Sequence, residues 1–128
     1  QISLKKALNH FMDLHRNDSP EDIDFYRSQF TATIQAIYNS VGENAFKNYS
    51  NGKFSKKFHP AIFDSLMVSA YFSISQKNTL PNVSLETHLS LLADSRFKES
   101  ISKRTTDIEN IKRRISIAGH TLFGVVLE

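Results

Sequence analysis

The sequence predicts an all-α fold: a single compact bundle of about five to six helices around a buried central helix at about residues 60–75. Three observations point there. Apolar residues recur at helical spacing over most of the chain. Capping and stop signals bracket those stretches. One segment, Ala61, Ile62, Phe63, Leu66, Met67, Val68, Ala70, Tyr71, Phe72 and Ile74, is apolar on nearly every side, as a helix buried on most of its surface must be.

The elements follow in order. Ser3 can cap a first helix with the stripe Leu4, Ala7, Leu8, Phe11 and Leu14. Ser19-Pro20-Glu21-Asp22 is a strong second start. The hydroxyl can accept from free backbone N–H groups, proline suits the first helical position, and acids suit the positive helix end. The stripe Ile23, Tyr26, Phe30, Ile34, Ile37, Val41 then runs inward, and Gly42 is the expected left-handed stop. Glu43 to Phe46 reads as one turn that plugs Ala45 and Phe46 into the core. Residues 48–57, with the turn pair Asn51-Gly52 and no periodicity, read as a basic loop pinned by Phe54 and Phe58. A β-hairpin at Asn51-Gly52 is the weaker alternative.

Pro60 opens the third helix. A fourth over 84–94 turns Leu85, Leu89 and Leu92 inward, and a short helix from Asp94 or Ser95 carries Phe97 and Ile101. Thr106-Asp107-Ile108-Glu109 matches a capping box before the last helix, whose stripe is Ile108, Ile111, Ile115, Ala118, Leu122 and Val125. That helix is expected to continue through 122–127, with Gly119 and Gly124 either weakening it or permitting close helix contacts.

At 128 residues the chain is expected to be one domain, able to bury a core without covalent staples. It has no cysteine, which excludes a disulfide scaffold, a thiolate metal site and a cysteine nucleophile, and fits a cytoplasmic setting. No stretch is apolar enough for a membrane span, so no membrane partner is expected. The chain begins with Gln1 and ends on apolar residues, so a C-terminal piece of a longer protein is expected.

Charge is uneven. Residues 1–42 are net acidic. Lys47, Lys53, Lys56 and Lys57 stand without an acid over 47–57, and Arg96, Lys98, Lys103, Arg104, Lys112, Arg113 and Arg114 outnumber three acids over 96–114. Lys53, Lys56, Lys57, Lys103, Arg104, Lys112 and Arg113 are therefore candidate contacts to nucleic-acid phosphates, without sequence preference. A solvated surface is the simpler reading of the same residues. Asp64, on the otherwise apolar third helix, is expected to pair with Arg114 or with capping donors near Thr105 and Thr106, because a buried lone carboxylate is costly.

No enzyme signature stands beside these. His10, His15, His59, His88 and His120 show no ligand spacing, so no metal or other cofactor is expected. The acids Asp18, Glu21, Asp22 and Asp24 are explained by the helix dipole. There is no nucleophile elbow and no phosphate-cradling glycine loop. Most of the ten Phe and four Tyr fall on apolar stripes and read as core, with Tyr49 as the exposed exception.

Taken in order, Val41-Gly42-Glu43-Asn44-Ala45-Phe46, Phe58-His59-Pro60-Ala61-Ile62-Phe63-Asp64-Ser65-Leu66, Phe97-Lys98-Glu99-Ser100-Ile101, Thr105 or Thr106, and Ile111-Lys112-Arg113-Arg114-Ile115 resemble the C-terminal helical region of GmrSD-type (ParB/sulfiredoxin-like) proteins. The resemblance covers about residues 8–126. His59-Pro60 departs from the more Asn/Lys-like approach expected there. Such proteins are implicated in prokaryotic restriction of modified or phage DNA. Their N-terminal domain hydrolyses nucleotides, and some add an HNH nuclease. The chain has no Asp-Gly pair, so no catalytic residue carries over. The resemblance implies a non-catalytic accessory domain. Its partners would be the N-terminal domain of the same protein and, in the wider reading, DNA or a second copy.

Overall fold

The computed structural model describes residues 19–127. The helix expected over 4–14, with Ser3, His10 and His15, lies outside them. Five helices and one two-stranded sheet follow one another among the described residues: α1 (Pro20–Val41), β1 (Lys47–Ser50), β2 (Lys53–Phe58), α2 (Pro60–Lys77), α3 (Leu85–Ala93), α4 (Ser95–Ser102) and α5 (Ile108–Phe123).

The fold is thus mostly helical but not strictly all-α. The segment expected to be a basic loop is an antiparallel hairpin. Asn51 and Gly52 take φ of 55° and 79°, and positive φ at both central residues is what a tight type I′ turn demands. The strand signal was weak because the pairing slips. Tyr49 faces Phe54 and Lys47 faces Phe58, so β2 carries extra residues in between and loses its alternation. Lys53, Lys56 and Lys57 are therefore strand residues, all exposed.

Helix α1 ends as its sequence dictates, with Gly42 at φ 112° and its N–H donating to Tyr38 O. Ala45 and Phe46 are buried in the following turn. The inward stripe of α1 is less buried than its pattern suggested: Ile37 is fully enclosed, whereas Ile23 and Phe30 are exposed. Leu85 and Ile108, at the first turns of α3 and α5, are exposed as well. Ser84 caps α3 by accepting from Thr87 N, and Asp94 caps α4 by accepting from Arg96 N and Phe97 N. The cap of α5 is Asp107, accepting from Glu109 N, rather than Thr106.

The core is built on α2 and α5. Ile62 and Leu66 of α2 meet Ile115, Ala118, Leu122 and Phe123 of α5 in one buried cluster, with Leu91, Leu92 and Phe97 closing it from α3 and α4. Each such large apolar side chain contributes about 1.5–3 kcal/mol on burial. Helix α2 also buries Ser65, Ser69 and Ser73, one per turn. Ser65 Oγ donates to Ala61 O and Ser69 Oγ to Ser65 O, both at 2.6 Å, so these two hydroxyls are satisfied within their own helix. Their small size lets α5 come close. A Cβ placed on Gly119 would stand 3.2 Å from Ser69 Cβ and 3.3 Å from Leu127 Cδ1.

Helix α5 stops at Phe123 rather than continuing through 127. Gly124 takes the left-handed conformation, φ 65°, that ends helices, and Val125 N donates back to Gly119 O. The chain then folds onto α5, where Ser116 Oγ donates to Leu127 O and Val125 and Leu127 are buried. No described helix is long and apolar enough to cross a membrane.

Candidate functional site

Two surfaces and one buried charge stand out. The first surface is aromatic. Phe63 of α2 sits at its centre, with ring centroids 5.8 Å from Phe30, 4.9 Å from Phe46 and 5.0 Å from Phe58. Phe46 continues the chain to Tyr38 at 5.4 Å. Edge-to-face and tilted pairs at these distances are favourable ring geometries. Phe30, Tyr38 and Phe58 nonetheless expose 49%, 40% and 55% of their surface. This makes one continuous aromatic face across α1, the end of β2 and the start of α2. Further toward the N-terminus of α1, Ile23 and Phe25 are exposed too.

The reading of the aromatics as core missed this face, and it named the wrong exception. Tyr49 is half-buried, its ring 5.0 Å from Phe54. A signal was available. Phe25 and Tyr38 lie off the inward stripe of α1, and a helix with aromatics outside its stripe has a second apolar side.

The second surface is basic and comes in two parts. Lys53, Lys56 and Lys57 project from β2. Lys103 and Arg104 stand at the α4–α5 junction, and Lys112 and Arg113 on the first turns of α5. Asn110 ties the junction together: its Nδ2 donates to Lys103 O and Arg104 O, and Arg113 Nη1 donates to its Oδ1. Lys112 is partly neutralised by Glu109, 3.7 Å away. The hairpin lysines and the junction cations thus belong to separate elements.

The buried charge is Arg114. It is 3% exposed, and its Nη1 donates to Thr105 O at 2.7 Å and Ser100 O at 3.2 Å. Its Nη2 stands 3.8 Å from Asp64 Oδ2. The roles differ from those expected. The buried member is the arginine, while Asp64 keeps 58% of its side-chain exposure. Thr105 enters through its carbonyl, as an acceptor for Arg114, and not as a donor to Asp64. Burial lowers the Arg114 pKa and Asp64 partly restores it, but a guanidinium stays charged regardless.

The Arg114 charge also reaches His59, the residue that precedes α2. Burial first, and Arg114 second, hold the His59 pKa below its usual value. Its Nδ1 is buried without a partner. His88 of α3 is 2% exposed and stacks on Phe54 at 5.3 Å, so the hairpin rests on it. Burial alone lowers its pKa, and its Nε2 has no partner. Both imidazoles are therefore neutral at pH 7. Among the described residues no three His, Asp or Glu side chains converge as metal ligands.

Compared with protein-family models, with curated proteins and with solved structures, the chain matches none.

Proposed function

We propose that this domain is a non-catalytic interaction module of a restriction-like anti-phage defence protein, acting in the cytoplasm and supporting a nucleotide-hydrolysing domain of the same protein. The observation that carries the interaction role is the aromatic face of Phe30, Tyr38, Phe58 and Phe63. Large exposed rings in mutual contact form a patch of the kind that marks protein–protein contacts, and aromatic residues dominate such interfaces energetically. The order of motifs from Val41 to Ile115 supports the family part of the reading.

The test is to prepare the protein segment encoded upstream of Gln1, mix it with this domain and measure association by calorimetry. The expected result is saturable binding that Phe58→Ser and Phe30→Ser each weaken at least about tenfold, or about 1.4 kcal/mol. Both variants should melt within a few degrees of wild type, because the truncated rings are half in solvent. Equal affinity for wild type and both variants would sink the aromatic face as the docking surface. An upstream segment without a nucleotide-hydrolase motif would remove the family assignment.

A second reading rests on β2. Lys53, Lys56 and Lys57 lie exposed on a two-stranded ribbon that, with Lys47, bears no acid. A ribbon of this kind fits the DNA major groove, and lysines on it neutralise phosphates. Titration with duplex DNA at two salt concentrations then gives steeply salt-dependent binding, and a Lys53→Gln, Lys56→Gln, Lys57→Gln triple variant loses most of it. Absence of binding at low salt ends this reading.

A further inference from the structure

The groove between α1 and the C-terminal half of α2 belongs to neither surface. Its volume is about 530 Å³, inside the roughly 300–1,000 Å³ range of small-molecule sites. Gln29 and Thr33 line one wall from α1. Tyr71, Ser75 and Asn78 line the other, and Asn82 closes the end.

Its chemistry is selective. Among the described residues that line it, none is charged, although 23% of the chain is. An ionic ligand entering it would lose hydration without gaining a counter-charge. The groove also receives the C-terminal end of α2, whose last carbonyls carry partial negative charge. The cation nearest that end, Lys77, is turned away and donates to Phe123 O and Gly124 O. Phosphates and carboxylates are therefore disfavoured twice.

What remains suits hydroxyl groups. The side chains of Gln29, Ser75, Asn78 and Asn82 make no hydrogen bond to another described residue. Amides supply donors and acceptors side by side, and a sugar hydroxyl both donates and accepts. Tyr71 adds a ring that is 40% exposed and braced by Phe72 in a T-shaped pair at 5.6 Å. Such a ring gives an apolar platform for the C–H face of a sugar. The far wall is held in place beforehand. Val83 N donates to Ser40 O, and Ser40 Oγ donates to Pro81 O, which clips the α2–α3 connection onto α1. A pre-formed site spends less free energy on ordering when it binds.

We propose that this groove binds a neutral, polyhydroxylated ligand of the sugar class, about one or two rings in size. The site is independent of the aromatic face and of the basic hairpin, and stands whether or not those readings do.

The experiment is a titration of the whole chain, followed by amide chemical shifts, with glucose, maltose and N-acetylglucosamine, and with glucose 6-phosphate as the charged counterpart. The expected result is saturable shifts confined to the groove with at least one neutral sugar, at a Kd of about 1 mM. Tyr71→Ala should weaken that binding about tenfold. Asn78→Gly should weaken it comparably while leaving the melting temperature in place, since Asn78 sits at φ 65° and glycine takes that conformation freely. Three outcomes overturn the proposal: no saturable shift with any of the three neutral sugars, binding that survives both variants unchanged, or tighter binding of glucose 6-phosphate than of glucose.

Discussion

The two long helices of this fold, α1 and α2, are both rich in apolar residues, yet they are used in opposite ways. Helix α2 encloses Ala61, Ile62, Leu66, Ala70 and Phe72, and fills the spaces between with buried serines. Helix α1 encloses Ile37 and leaves Ile23, Phe25, Phe30 and Tyr38 in solvent. The difference lies in neighbours as well as in composition, since α1 carries more charged residues than α2. Among the described elements, helix α2 packs against both α5 and α1, whereas α1 packs mainly against α2. Apolar content therefore locates a core only where a second element is available to cover it. Where none is, the same content stays in solvent.

That contrast can be broken most severely at Arg114. Replacing it with alanine leaves Ser100 O and Thr105 O without their donor inside the α4–α5 junction. Arg114→Ala is expected to cost about 3 kcal/mol or more. Denaturant unfolding measures it, and a loss below about 1 kcal/mol would show that those carbonyls find other partners.

Gly119 probes the same half through space instead of charge. An added Cβ meets Ser69 and Leu127 at distances that force one of them to move. Gly119→Ala should therefore destabilise the chain by about 1–3 kcal/mol, despite alanine's better helix propensity. A gain in stability would mean that the contact between α2 and α5 is loose.

The hairpin side is sharpened by pH. His88 is buried neutral, with its folded pKa below the unfolded one. Between those two values the unfolded chain binds more protons, so stability falls as pH drops below about 6.5 and is flat above it with respect to this group. His59 adds to the fall in the same direction. Melting curves from pH 8 to 5 should show the decline, and His88→Leu should make it shallower. An unchanged slope in that variant would place the dependence elsewhere.

The smallest effect belongs to Asp64. It is the exposed member of a 3.8 Å pair, so Asp64→Asn should cost no more than about 1 kcal/mol. A loss as large as that of Arg114→Ala would mean that the carboxylate, and not the carbonyls, holds the guanidinium.

Much of the helical framework was legible in the sequence because helix ends are local chemistry. Ser19-Pro20 and Gly42 bracket α1, Pro60 opens α2, and Asp94 starts α4. The hairpin was not legible, because its register slip erases the alternation that identifies a strand, leaving Asn51-Gly52 as the only signal. Position 64 and position 114 stood out as a pair by the oddity of charges beside apolar stripes. Which of the two is buried depends on carbonyls at 100 and 105, whose orientation no local pattern encodes. The exposed ring of Phe30 was misread for the same reason as Leu85 and Ile108: spacing gives the face of a helix, but not whether anything lies opposite.

The serine ridge of α2 has a mechanical side. Ser65 and Ser69 spend their hydroxyls on their own helix, so neither forms a polar bond across to α5. The two helices are instead tied by polar contacts at two places, by Arg114 in the middle of α5 beside Asp64 and by Lys77 on the carbonyls of Phe123 and Gly124. Between those ties the joint is held by close packing, without polar bonds of the two serines across it. Loaded along the helix axes, such a joint resists first at its two polar ties and then where Ser69 sits close against Gly119.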